Sequence, residues 1–213
     1  MNGFSNPYLE ACMSIGCLTH DRRQDYSRRV AGVARQQPHL AEFFEGIAEP
    51  GEPAGEWDIK AHFRKTFAYA IPSANAINRL VELSPLIEIG AGTGYWASLI
   101  AASGGEIQAF DTGEWNLSPR WFNVARGGQK KAGESGARCL LLCWPPFDTR
   151  MAYASAKAFR GEFIAYVGEG GYGCTGCSRF HNLLGREWNE EEVIPIPQWS
   201  GLHDRLFIYR RKP

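Results

Sequence analysis

The chain has no excess of either charge, no long apolar run and few sulfur residues, and each absence removes a class of protein. Its 23 basic residues are matched by 23 acidic ones, so no broad cationic face for a nucleic-acid backbone is written into it, and nucleic acid is not an expected partner. The pairs Arg22–Arg23, Arg28–Arg29 and Arg210–Arg211 read as solvated surface. No apolar stretch approaches the roughly 20 residues needed to cross a bilayer, so no membrane partner is expected. Residues 1–6 lack the basic-then-apolar order of a signal peptide. Six cysteines in 213 residues do not make a disulfide scaffold, and a reducing, cytoplasmic setting is expected. Cys174, Cys177 and His181 could supply three zinc ligands, but no second Cys/His pair follows at finger spacing. No metal is therefore expected. The length fits one α/β domain with an N-terminal extension.

What is present centres on residues 86–97, Leu-Ile-Glu-Ile-Gly-Ala-Gly-Thr-Gly-Tyr-Trp-Ala. Leu86, Ile87 and Ile89 form the apolar run of a strand buried on both faces. Gly90, Gly92 and Gly94, with Ala91 between the first two, turn the chain, and Trp96, Leu99 and Ile100 share one face of the helix that follows. Glycines let backbone approach a ligand, and the helix start offers free N–H groups. Glu88 narrows the choice of ligand, because a carboxylate there repels a pyrophosphate but suits a cationic amino-acid tail. The next strand, 106–110, ends at Asp111, about twenty residues past the glycines, where an acid can accept hydrogen bonds from ribose hydroxyls.

Glu88-x-Gly90-x-Gly92-x-Gly94 with Asp111 in register resembles the first motifs of the class I S-adenosylmethionine-dependent methyltransferases. The resemblance covers roughly residues 69–211. It implies an α/β fold, a Rossmann-like sheet that is mostly parallel with an antiparallel last strand, preceded by a helical extension. It also implies S-adenosylmethionine as cofactor. The boundaries expected are 1–56 for the extension, a lid or an interface for a homodimer or hetero-oligomer, and 57–213 for the methyltransferase-like domain. In that family the segment before the first strand often folds over the methionine end, which makes Tyr69 and Ser73 candidate contacts. A second resemblance lies at Trp144-Pro145-Pro146-Phe147-Asp148, after the apolar strand Cys139–Cys143. Amino-methyltransferases carry Asp or Asn before Pro-Pro-aromatic there. The polar residue and the proline carbonyl grip the target amine. Here Trp144 replaces the polar residue, which argues against methylation of adenine or cytosine. Asp148 could substitute, or Trp144, Pro145 and Phe147 could wall a small substrate or the cofactor's methyl.

The rest of the chain is read from pattern. Asn6–Pro7 starts a helix carrying Tyr8, Leu9, Cys12 and Ile15. Asp21 caps a second helix running to about Arg35, and Pro38 opens a third segment with Leu40, Phe43, Phe44 and Ile47. A helix ends at Leu83, with Ser84–Pro85 as its stop. The third strand is placed at Phe122–Ala125. Gln129–Ser135 is too short for a full crossover helix, so the layer that flanks an adenine is thin. Strands follow at Glu162–Val167, Val193–Pro197 and Arg205–Arg211, with Pro195 and Pro197 favouring a sheet edge for the sixth.

Glu169 follows the fifth strand among glycines and is the first choice for a general base or a contact to a substrate ammonium. Asp148 and His181 are the alternative proton acceptors, and His181 is also a candidate substrate contact. The leading expectation is methyl transfer to a small molecule. The second is a methyltransferase-fold enzyme that promotes elimination or intramolecular displacement, including ring closure. The third is a non-catalytic partner subunit that binds another protein through its N-terminal helices.

Overall fold

The computed structural model describes residues 4–18, 25–47, 53–117, 120–171 and 173–213. Asp21, Arg22–Arg23 and Pro119 lie outside them. Helix α1 (Pro7–Ile15) begins where Asn6 caps it, its side chain accepting the Leu9 N–H at 3.1 Å. Helix α2 spans Ser27–Gln36, and the short α3 (Pro38–Ala41) runs into a single 3-10 turn at Glu42–Phe44. Helices α4 (Glu56–Thr66) and α5 (Ala74–Glu82) lead into strand β1 (Leu86–Ile89). Then come α6 (Tyr95–Ala102), β2 (Ile107–Asp111), β3 (Val124–Arg126), the four-residue α7 (Lys131–Glu134) and β4 (Cys139–Cys143). Helix α8 (Met151–Ala158), β5 (Phe163–Gly168), α9 (Ser178–Glu187), β6 (Trp188–Pro195) and β7 (Arg205–Arg211) complete the chain.

The described strands form one sheet in the order β3-β2-β1-β4-β5-β7-β6. The strands β1 to β5 pair in parallel, and β7 runs antiparallel to both β5 and β6. The order reverses between β1 and β4. In open α/β sheets that reversal opens a crevice beyond the carboxyl ends of the strands. The central strands β1, β4 and β5 are buried on both faces, and alternation divides their side chains between two cores. Leu86, Leu141, Ala165 and Val167 face one core, while Ile87, Ile89, Leu140, Leu142, Ile164 and Tyr166 face the other.

The first core is closed by the N-terminal helices, whose aromatics are spent on packing. Tyr8 of α1 is fully buried, stacked on Phe67 with ring centroids 4.7 Å apart and set edge-on to Phe63 and Tyr95. Its hydroxyl accepts the Trp199 indole N–H at 2.9 Å, and its backbone N–H donates to the Tyr95 hydroxyl at 3.1 Å. Asn6 donates to the Pro72 carbonyl at 2.7 Å. Residues 4–18 and 25–47 thus share a continuous core with α4, α5, α6 and the sheet.

Two strands differ from the pattern reading. The third starts at Val124 rather than Phe122. Trp121 is drawn away from the sheet, stacking on Phe67 and donating to the Thr66 carbonyl at 2.6 Å. The sixth is longer than Val193–Pro197, because the chain leaves α9 directly as strand at Trp188 and the Glu190–Glu192 run occupies the exposed sheet edge, bulged at that point. Arg210 and Arg211 are not simply solvated. Arg210 pairs with Glu162 and Glu191, and Arg211 donates to the Phe159 and Gly161 carbonyls beneath the Trp188 ring.

Truncating Tyr8 to alanine removes a ring from the centre of this core. We expect Tyr8→Ala to lower stability by about 3–5 kcal/mol in urea. If α1 belongs to the main core, a single transition will be seen by both far-UV circular dichroism and tryptophan fluorescence. Separate transitions would show that the N-terminal helices fold on their own.

Candidate functional site

At the switch between β1 and β4 lies a cleft of about 370 Å³, within the roughly 300–1,000 Å³ of small-molecule sites. Its floor is the β1 turn. The Gly90 and Ala91 N–H groups donate to the Phe110 carbonyl at 2.8 and 3.1 Å, which pins the turn to the end of β2. Gly90 and Gly92 both adopt left-handed backbone, with φ of 80° and 54°. A Cβ on Gly90 would stand 2.9 Å from the Met151 methyl. Asp111 closes the floor, its two oxygens accepting the Gly92 and Gly113 N–H groups at 2.9 and 2.7 Å. A smaller hollow of about 100 Å³ shares Gly90, Asp111, Trp115 and Met151 and reaches Gly127–Gln129, the layer that the short α7 leaves thin.

Glu88 is the unusual residue. Strand alternation turns it toward the face covered by Phe67, Tyr95 and Trp96, where it is 1% exposed. Its Oε2 makes no hydrogen bond, the one buried carboxylate oxygen in that state among the described residues. Burial first, and then the Asp111 charge, push its carboxyl from 4.5 up to about 8. Such an oxygen is costly unless a donor arrives. An ammonium placed beside it would meet both the missing hydrogen bond and the missing charge. This acceptor set fits the amino-acid end of S-adenosylmethionine, with Asp111 free to accept further from ribose hydroxyls.

The wall opposite the turn is aromatic. Trp144 follows β4 in left-handed backbone, φ 51°, with its N–H on the Val167 carbonyl at 2.8 Å. Its indole N–H donates to Asp204 at 2.9 Å, and its ring stacks on Tyr69 at 4.8 Å and 22°. Asp204 is 1% exposed, and burial pushes its carboxyl up to about 6 even with that bond. Phe147 and Asp148 stand exposed at the mouth. The Pro145 carbonyl, the partner an exocyclic amine would need, already accepts the Gly176 N–H at 2.8 Å.

Among the sequence candidates, Tyr69, Glu88, Gly90, Ala91, Gly92, Asp111, Trp144, Phe147 and Asp148 all line this cleft. Five do not. Gly94 caps α6, and a Cβ there would sit 2.8 Å from Phe122. Ser73 caps α5, accepting the Ala76 N–H at 3.2 Å. Pro145 is buried behind the wall. Glu169 holds loops together. Its oxygens accept the Cys174 and His203 N–H groups at 2.8 and 3.0 Å. Burial raises its carboxyl, but those bonds outweigh burial and leave it below the ordinary carboxylate value. The His181 ring nitrogen bonds to the Thr175 carbonyl at 2.9 Å, steadying the same loop.

Cys174 reaches the cleft, but burial and the Glu169 charge push its thiol up to about 11, where it is a poor nucleophile. No group of three metal-ligating side chains is assembled among the described residues. The sequence reading missed Arg64, Thr93, Trp115 and Met151, which line the cleft from separate segments. Thr93, inside the glycine motif, was open to detection. Its hydroxyl donates to the Phe67 carbonyl and ties the turn to the end of α4.

Glu88 also makes stability depend on pH. Folded, it keeps its proton to about pH 8, whereas an ordinary glutamate releases it near 4.5. Between those values the unfolded chain binds fewer protons, so stability falls as pH rises through this window. In urea titrations we expect wild type to lose stability relative to Glu88→Gln between about pH 5 and pH 8. Parallel profiles would contradict the shift.

No family model matches the chain, and no curated protein does. Solved structures share parts of its shape. TrmN from Thermus thermophilus aligns at 12% identity over 65% of this chain and 48% of its own, TM-score 0.45. The mitomycin 7-O-methyltransferase MmcR aligns at 13% over 86% and 60%, TM-score 0.46. A mutant of MtNAS in complex with S-adenosylmethionine aligns at 11% over 88% and 79%, TM-score 0.46. This chain therefore spans about half the length of the first and three fifths of the second. The fold is the Rossmann-like sheet of the class I methyltransferases, with a reversed β7 and an N-terminal helical extension.

Proposed function

We propose that this chain transfers a methyl group from S-adenosylmethionine to a small-molecule acceptor. The observation that carries the reading is the buried, unpartnered Glu88 oxygen at the floor of the cleft. Glu88 would hold the cofactor's ammonium, the Gly90–Gly92 backbone would lie against it, and Asp111 would take its ribose hydroxyls. Bound there, the cofactor would supply an electrophilic methyl carbon whose bonding pair stays on sulfur when an acceptor lone pair displaces it. The chain's own task is alignment and exclusion of water. Tyr69, Trp144 and Phe147 shape the acceptor side, and Asp148 is the carboxylate at the mouth able to take an acceptor proton. A small acceptor is supported by the balanced charge and by Pro145 lying buried, outside the cleft lining. No described helix is long and apolar enough to cross a membrane.

Calorimetry with S-adenosylmethionine and S-adenosylhomocysteine tests this directly. Glu88 must ionise to hold an ammonium, so binding at neutral pH is expected to release a proton, seen as a dependence of the heat on the buffer's ionisation enthalpy. Glu88→Gln should bind about 10–100-fold more weakly, the worth of one charge-assisted hydrogen bond, and should release none. Absence of both heat and thermal protection with wild type would remove the proposal.

A further inference from the structure

The cleft contains a cation that the cofactor reading does not use. Arg64 is the one basic residue among the described residues that line it, facing a lining that also holds Glu88, Asp111 and Asp148. It sits at the end of α4, half-buried, with its Nε donating to the Lys60 carbonyl at 3.3 Å. No carboxylate among the described residues lies within 4.0 Å of its guanidinium. The guanidinium carbon is instead 5.2 Å from the Tyr69 ring centroid. Tyr69 is stacked on Trp144, and Trp144 is tethered to the buried Asp204. The planar fork is thus set beside a two-ring wall that cannot easily turn. Lys60, one turn earlier on the same helix, is 7% exposed between the Trp57 and Trp199 rings and has no ion pair among the described residues either.

We infer that the methyl acceptor is a planar aromatic anion, its ring against Tyr69 and Trp144 and its charged oxygen on Arg64. This deepens the proposed function and rests on it. An arginine fork pairs a carboxylate through two parallel hydrogen bonds, which gives direction as well as energy. The stacked rings and the exposed Phe147 at the mouth favour a flat apolar body. The assignment also explains why Glu169 and His181 can be committed to loop contacts. An acceptor oxygen beside a guanidinium is held in its ionised form, so it arrives as a nucleophile and leaves Asp148 no proton to take. The rival occupant of Arg64 is the carboxylate of the cofactor itself.

Titrations on the protein saturated with S-adenosylhomocysteine decide the matter, using three probes of one shape: 2-naphthoate, 2-naphthylmethanol and 2-naphthylmethylamine. Wild type is expected to bind the carboxylate at least about tenfold more tightly than the alcohol or the amine, within the range of a charge-assisted pair. Arg64→Met should abolish that preference while leaving the alcohol unchanged, and Arg64→Lys should restore part of it. S-adenosylhomocysteine and 5′-methylthioadenosine, which lacks the amino-acid tail, are titrated in parallel on each variant. If Arg64→Met weakens the first and spares the second, the guanidinium belongs to the cofactor and the acceptor assignment falls. If wild type binds S-adenosylhomocysteine but shows no preference for the carboxylate, the acceptor assignment alone falls. Failure of wild type to bind either nucleoside would remove the methyl-transfer reading, and this inference with it.

Discussion

A carboxylate oxygen shut away from water with no donor is the constraint from which the rest of this molecule follows. Burying an ionised acid without a partner is so unfavourable that the group keeps its proton instead, and Glu88 does so up to about pH 8. Hydrophobic packing could have filled the position with a valine or leucine at no such cost. A carboxylate at the head of a cavity, flanked by left-handed glycines and a second acid, has a physical rationale only if a cation completes it.

The surrounding fold builds that situation step by step. Alternation along β1 sends Leu86 and Glu88 to the same face. On that face α1 and α6 supply Tyr8 and Tyr95, and with Phe67 after α4 and Trp121 before β3 they form a cluster that excludes water. The N-terminal helices therefore act on the site from a distance, by keeping the medium around Glu88 apolar. The hairpin of β6 and β7 acts on the other wall, because Asp204 in its connection holds the Trp144 ring. The two walls differ in character, one acidic and one aromatic with a cation at its edge.

The parts of this that were legible in the sequence are those encoded within a few residues of one another. The β1–turn–α6 unit, the acid ending β2, the edge position of the proline-bearing strand and the thinness around α7 all follow from local pattern and came out in place. The third strand starts later than its pattern implies because Trp121 answers to Phe67 and Thr66, more than fifty residues earlier. Glu169 reads as a base in the sequence because glycines surround it and suggest exposure. In the fold it is buried, with Gly173 packed on its side chain and the Cys174 N–H on its carboxylate. Arg64 carried no signal at all. Its place in the cleft is set by the docking of α4 against the sheet, and no short motif records that.

The most direct measurement of the central claim is the titration of the Glu88 carboxyl itself, by ¹³C NMR of glutamate-labelled protein with Glu88→Gln to assign the resonance. The account predicts a midpoint near 8 in the free protein and a shift to well below neutral pH once S-adenosylhomocysteine is bound. A Glu88 that titrates with the surface glutamates in the free protein, or one that stays protonated at neutral pH under saturating nucleoside, would contradict it.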